Sequence, residues 1–303
     1  MPAKPSQKPL SPARRVDYRE PFDWRAFLDF LAPRLIAGVE TIEGDRYYRV
    51  IELSGKAVVL EVGHDDRKEN LEVIVHGGEP AALDDAERLT RRFFDLDAPV
   101  ADIARSLSRD SLLAPLLDSM PGIRVPGGWS GFEIAVRAVL GQQISVKAAT
   151  TLAGRVADRY GESVSIESPV GRRVSRMFPA PGRLSRARFN NMGIVGARIA
   201  TLKRLSAAVA DGTLSIDADA STADVIDRLC ALKGIGPWTG QYVAMRALKD
   251  PDAFPESDLG LLNALYADRK ATPAELKARA EAWRPWRAYA ALLIWNRGTV
   301  SGG

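Results

Sequence analysis

The chain is short of the residues that most metal, redox and acid–base chemistry relies on. It has one cysteine, Cys230, in 303 residues. A single thiol excludes an intrachain disulfide and a cysteine-ligated iron–sulfur cluster. Within the apolar stretch VIDRLCAL it reads as a packing residue. Only two histidines occur, His64 and His76, both in the first third. A histidine-rich zinc site is therefore not expected. Acid–base chemistry in the last two-thirds falls to a carboxylate, Lys, Tyr or water. No apolar run approaches the ~18 residues that signal a membrane span. The N-terminus, MPAKPSQKPLSPARR, has no apolar core behind its lysines and prolines. It reads as a disordered basic tail over residues 1–16 rather than a secretion signal, and the expected location is the bacterial cytoplasm.

Charge is unevenly spread. The net charge is +4, but residues 17–105 carry 12 basic and 20 acidic groups, whereas residues 106–303 carry 26 basic and 18 acidic groups. The polyanion-binding candidate is therefore the second part. Residues 168–210 hold nine Arg or Lys and no Asp or Glu, which suits either a solvated basic surface or contact with nucleic acid phosphate.

Periodicity predicts an α+β protein. FDWRAFLDFLAPRL and LDDAERLTRRFFDL have helical spacing. Between them YYRVIEL, KAVVLEV and NLEVIVHG read as three short strands joined by turns. Residues 17–105 are thus expected to form a small α+β domain with an antiparallel sheet. From 106 to 303 the pattern is helical almost throughout, with Ser, Thr or Pro at helix starts and Gly at ends. The Pro-, Gly- and Arg-rich stretch at 165–185 reads as a long loop.

LKGIGPWTGQYVAMRAL, residues 232–248, carries the strongest local signal. A helix ends at Leu232, Lys233-Gly234-Ile235-Gly236 forms a tight hairpin, and Pro237 opens the next helix, where its missing N–H is not needed. Gly234 and Gly236 permit backbone angles and close approach that side chains forbid. Backbone N–H groups at such a helix start make a phosphate seat, which grips a nucleic acid backbone without reading sequence.

At these residues the chain resembles the helix-hairpin-helix superfamily of base-excision glycosylases, and within it the 3-methyladenine DNA glycosylase II (AlkA) type. FDWRAFLDFLAPR, FEIAVRAVLGQQIS at 132–145 and WRPWRAYAALLIW at 283–295 also look like segments of that family, so the resemblance covers roughly residues 20–297. It implies a helical region of two lobes with the active site in the cleft between them. It implies a catalytic carboxylate at Asp258, in FPESDLGLLNAL, 22 residues after Gly236. The chemistry agrees: breaking an N-glycosidic bond builds positive charge on the sugar, which a fixed carboxylate stabilises. By local sequence alone Asp258 reads equally well as a helix N-cap. Where bifunctional members carry the lysine that forms a Schiff base, this chain has Trp238, which cannot be that nucleophile. The resemblance therefore implies a monofunctional enzyme that leaves an abasic site.

It further implies a base pocket lined by Trp238, Tyr242, Trp295 and Phe30. Their faces would attract positively charged alkylated purines by about 0.5–2 kcal/mol each, although aromatics at helical spacing also suit a core. Gln143, beside Gln142 at the tip between two helices, is placed as the wedge that fills the gap left by a flipped nucleotide. Lys233, Gly234, Gly236 and Thr239 are the expected backbone contacts of the hairpin. No cofactor is required, though a monovalent cation on hairpin carbonyls is compatible with the family. The expected partner is double-stranded DNA containing damaged bases, met by a monomer. Leu259 follows the catalytic position where the best-matching pattern often has Tyr, which leaves lesion preference open. Two other readings also stay open: a bifunctional enzyme using another lysine such as Lys233, and a non-catalytic DNA-binding module.

Overall fold

The computed structural model describes residues 11–65, 67–217, 221–266 and 269–300. Strands β1 (Ala13–Asp17), β2 (Glu40–Glu43), β3 (Arg46–Leu53), β4 (Lys56–Asp65) and β5 (Asn70–His76) form one antiparallel sheet in the order β1-β5-β4-β3-β2. Two of these strands depart from expectation. Strand β2 is too short and polar to stand out. β1 lies in what the sequence suggested was a tail, of which residues 1–10 fall outside the described residues. Arg14 of β1 is matched by the helix after the sheet, pairing with Asp84 at 2.7 Å and Glu87 at 3.0 Å. The β3–β4 hairpin turns at Ser54 (φ 49°) and Gly55 (φ 76°), the left-handed pair that suits a two-residue turn.

β3 and β4 run apolar, instead of alternating, because both faces of the sheet are covered. On one face Tyr47, Ile51, Leu60, Val62 and Val73 pack with Phe27 of helix α1 (Trp24–Leu31) and Phe93 and Phe94 of α2 (Leu83–Phe94). On the other, Tyr48, Val50 and Val59 receive Val170 and Val174 from the Arg-rich loop. That loop is tied down by Ser175 and Arg176 N–H groups donating to Gly38 O.

The helices that follow are α3 (Val100–Leu107), α4 (Ala114–Ser119), α5 (Gly131–Gly141), α6 (Val146–Tyr160), α7 (Pro181–Ser185), α8 (Gly196–Ala210), α9 (Thr222–Ala231), α10 (Pro237–Val243), α11 (Leu259–Leu265), α12 (Pro273–Ala280) and α13 (Arg287–Val300). A π turn, Ala244–Leu248, continues α10. The core of the helical region runs through to Ile294, takes in Ile103 and Leu107 of α3, and reaches back to Ile36 and Val39 just before β2. The lobes of the helical region share that core and are separated by a cleft, not by separate interiors. None of the described helices is long and apolar enough to cross a membrane.

One buried ionic network joins the two parts. Arg49 on β3 donates to Glu40, its cross-strand partner on β2, at 2.9 Å, and to Glu133 of α5. Arg137, one turn along α5, reaches Glu40 at 3.3 Å and Glu133 at 3.5 Å. Glu40 also accepts from the Tyr47 hydroxyl and the Ile36 N–H. Burial pushes the Glu40 carboxyl up, but Arg49 and Arg137 outweigh it and hold it below the usual carboxylate range.

A depressed carboxyl stabilises the fold fully above its unfolded pKa, near ~4.3, and loses that contribution as pH falls through the folded value. Stability in urea should therefore drop on acidification below about pH 4. Glu40→Gln, which leaves a buried guanidinium short of a partner, should cost about 3–5 kcal/mol at neutral pH and shrink the acid limb. An unchanged urea midpoint for Glu40→Gln would contradict this role.

Candidate active site

Asp258 is the N-cap of α11, and its Oδ1 accepts from Leu261 N–H at 2.9 Å. Capping is only part of its environment. Trp295 Nε1 donates to Oδ1 at 3.0 Å, and Trp238 Nε1 donates to Oδ2 at 2.7 Å. The carboxylate is thus gripped by two indoles and a backbone amide. Both acceptor positions of Oδ1 are taken, whereas Oδ2 keeps one free. Gly260 makes room for this: a Cβ there would lie 2.9 Å from Asp258 Oδ1 and 3.5 Å from the Trp295 ring.

Asp258 opens into a cavity of about 480 Å³ in the cleft between α1, α5 and α6 on one side and α10, α11 and α13 on the other. All four expected pocket aromatics line it, namely Phe30, Trp238, Tyr242 and Trp295. Trp238 and Tyr242, four residues apart, stack with centroids 5.4 Å apart and planes 13° apart. Tyr242 and Trp295 lie 6.4 Å apart at 53°. Phe30 comes from the N-terminal domain, which therefore supplies one wall of the cavity.

The cavity also departs from the sequence expectation. Arg34, Arg137 and Arg246 line it. Arg34 lies 3.8 Å over the Phe30 ring, and Arg246 lies 5.6 Å from the Tyr242 ring, so the protein's own cations already use those two rings. Arg246 donates to the Tyr242 hydroxyl at 2.8 Å. Burial raises the Tyr242 phenol, yet Arg246, Arg137 and Arg34 together bring it below its ordinary value. The signal was present in the spacing: Arg34 and Arg246 each follow a pocket aromatic by four residues, on the same helical side.

The hairpin forms as expected between α9 and α10. Gly234 has φ 99°, and a Cβ there would meet Thr201 Oγ1 at 2.0 Å, so glycine is required twice over. Gly236 differs. It has φ −108°, which any residue adopts, and a Cβ there would meet nothing within 4 Å. Nothing within the chain demands glycine at that place. Lys233 is exposed. Thr239 is 2% exposed, and its Oγ1 accepts from the Gln142 amide at 3.1 Å. Its side chain is thus an internal strut, because the helical turn carries position 239 inward. Gln142 is likewise not a free tip residue: its amide also donates to Gly234 O at 3.0 Å, while Arg198 donates to its backbone carbonyl at 2.5 Å. Gln143 is exposed at the α5–α6 turn with φ 58°.

The carbonyls of Leu232, Lys233 and Gly234 accept from Ile235 N–H, from Thr201 Oγ1 with Arg204, and from Gln142 respectively. Among the described residues no His, Cys, Asp and Glu cluster suits a metal. No lysine lines the cavity. Lys249 is buried and committed to Asp95 at 2.9 Å.

This fold and site are those of the DNA glycosylases. Residues 13–130 match the AlkA N-terminal domain family. The chain is 32% identical over 284 residues to DNA-3-methyladenine glycosylase 2 of Escherichia coli, covering 92% of this chain and 95% of that one. It is 35% identical over 286 residues to a probable bifunctional transcriptional activator/DNA repair enzyme AlkA of Mycobacterium tuberculosis; that match covers 93% of this chain but only 56% of the relative's length. The 3-methyladenine DNA glycosylase of Archaeoglobus fulgidus superposes with a TM-score of 0.82 at 20% identity, over 95% of this chain and 99% of that one. The chain belongs to the AlkA-type 3-methyladenine DNA glycosylase family of the helix-hairpin-helix superfamily.

Gly234→Ala should destabilise the fold by about 1–3 kcal/mol, since it combines a left-handed backbone with a clash. Thermal denaturation beside Gly236→Ala is the check. Gly236→Ala should stay within about 0.5 kcal/mol of wild type, and equal losses for both would remove the distinction.

Proposed function

We propose that the protein is a monofunctional DNA glycosylase that excises alkylated bases such as 3-methyladenine and leaves an abasic site. One observation carries this reading: Asp258 is held by three donors at the wall of an aromatic cavity large enough for a base. In the proposed reaction the flipped base stacks against Trp238 and Tyr242, with its sugar beside Asp258. As the C1′–N bond breaks, positive charge grows on the sugar ring. Asp258 faces it as a fixed counter-charge, and its geometry costs no rearrangement because the indoles already hold it. The free acceptor position on Oδ2 suits a water that adds to C1′ and gives up its proton.

The DNA backbone is assigned to the hairpin. The first-turn N–H groups of α10 have no partner within the helix, and Gly236 leaves their approach open. The exposed Lys233 and Arg204 add charge beside them. Gln143 is the proposed gap filler. Lyase chemistry through Lys233 is disfavoured, because that side chain lies on the hairpin and not among the cavity residues. A purely DNA-binding role leaves the caged carboxylate without a purpose.

The test is base release from alkylated duplex DNA. Asp258→Asn keeps a good N-cap but loses the charge. It should lower release by about 10²–10³-fold or more while DNA affinity persists, and wild-type strand cleavage should require alkali. Wild-type rates in the mutant would remove Asp258 from the mechanism. Nicking without alkali would restore the lyase alternative. Gly236→Ala should weaken DNA binding several-fold while the fold remains intact, and unchanged affinity would take the hairpin out of the interface.

A further inference from the structure

The cavity lining carries both signs of charge. Asp258 is negative and Arg34, Arg137 and Arg246 are positive, with Tyr242 under the influence of both. The three arginines are not equivalent. Arg137 is spent on Glu40, Glu133 and the Arg34 carbonyl. Arg246 is spent on the Pro126 and Gly127 carbonyls and the Tyr242 hydroxyl. Arg34 has no carboxylate partner among the described residues. Its one hydrogen bond there is from Nη1 to Phe30 O, at 2.6 Å. A guanidinium has five N–H donors, so most of those on Arg34 remain open to the cavity it lines. Burial, joined by Arg246 and Arg137 and only partly offset by Tyr242, lowers this arginine to about 10, which marks a cation short of both water and counter-charge.

With a sugar at Asp258, the far edge of the base meets Arg34. We propose that Arg34 is a specificity-determining residue that favours uncharged bases carrying acceptors on that edge, a 6-oxopurine being the clearest class, over ring-cationic alkylated purines. This inference rests on the glycosylase reading above. The bond chemistry gives it content. When C1′–N9 breaks, the electron pair passes to the base. A cationic N-alkylated base leaves neutral and needs no help. An uncharged base leaves as an anion unless it is protonated, and water adds to C1′ with its proton released. A guanidinium donating to O6 or N7 strengthens its hydrogen bond as that negative charge grows, so it accelerates this class selectively. The same positive charge opposes entry of a cationic base. The aromatic walls and the arginines thus pull in different directions.

The experiment compares single-turnover release of hypoxanthine and of 7-methylguanine from otherwise identical duplexes by wild type, Arg34→Met and Arg34→Lys. The readout is the ratio of the two rates, which a general folding defect leaves unchanged. Arg34→Met should lower the hypoxanthine-to-7-methylguanine ratio about tenfold or more, the scale of one charged hydrogen bond. Arg34→Lys should recover part of it. A ratio unchanged in Arg34→Met, with wild type active, overturns the assignment of Arg34 alone. So does a wild type that releases 7-methylguanine and never hypoxanthine. A wild type that releases neither base, nor 3-methyladenine, overturns the glycosylase reading itself.

Discussion

Arg49 is buried between two carboxylates that come from different parts of the chain, Glu40 on the sheet and Glu133 on α5. Charges so placed are tolerated only where every partner is present, so the sheet and α5 have one relative position. That position decides the cavity. It sets Arg137, which shares both carboxylates and then donates to the Arg34 carbonyl at 2.6 Å. It sets the segment carrying Phe30 and Arg34, because Glu40 also holds the Ile36 N–H. A second latch works alongside it. Asp95 accepts from Lys249, Val125 N–H and the Tyr289 hydroxyl, so the end of α2, the segment between α4 and α5, the end of the π turn and α13 meet at one carboxylate. The N-terminal domain is therefore part of the pocket wall and not an appendage.

The proposed catalytic position is economical in a different way. Asp258 caps a helix and faces the cavity with the same side chain. Reading it as a cap or as a catalyst was never a choice between exclusive roles, because a cap already places a carboxylate at an amide-rich helix start. Two tryptophan N–H donors from α10 and α13 add orientation that a cap alone lacks. The tryptophans serve twice as well, with indole nitrogens on the carboxylate and ring faces on the cavity.

Much of this was legible in the sequence, and the gaps have physical reasons. The hairpin, the helices and the three central strands follow from strong local patterns. β1 was hidden because its two arginines look like tail composition, until the acidic face of α2 meets Arg14. Thr239 and Gln142 sit in a motif that points outward, yet both turn inward to bind each other. That exchange depends on how α5 lies against α10, which no single segment encodes. The arginine lining of the cavity was missed because it draws residues from α1's extension, α5 and the π turn, and only the fold brings them together.

The bond from Gln142 to the hairpin has a mechanical consequence. The Gln142 side-chain amide spans Gly234 O and Thr239 Oγ1, while Arg198 of α8 holds the Gln142 backbone carbonyl. The turn that carries Gln143 and the turn that carries Gly236 are thereby bolted into a single rigid caliper. Whatever strand is clamped at one jaw meets the other at a fixed span. If DNA is held at these two turns, as proposed, the adjustment to fit falls to the double helix, and undamaged, well-stacked DNA resists such adjustment most.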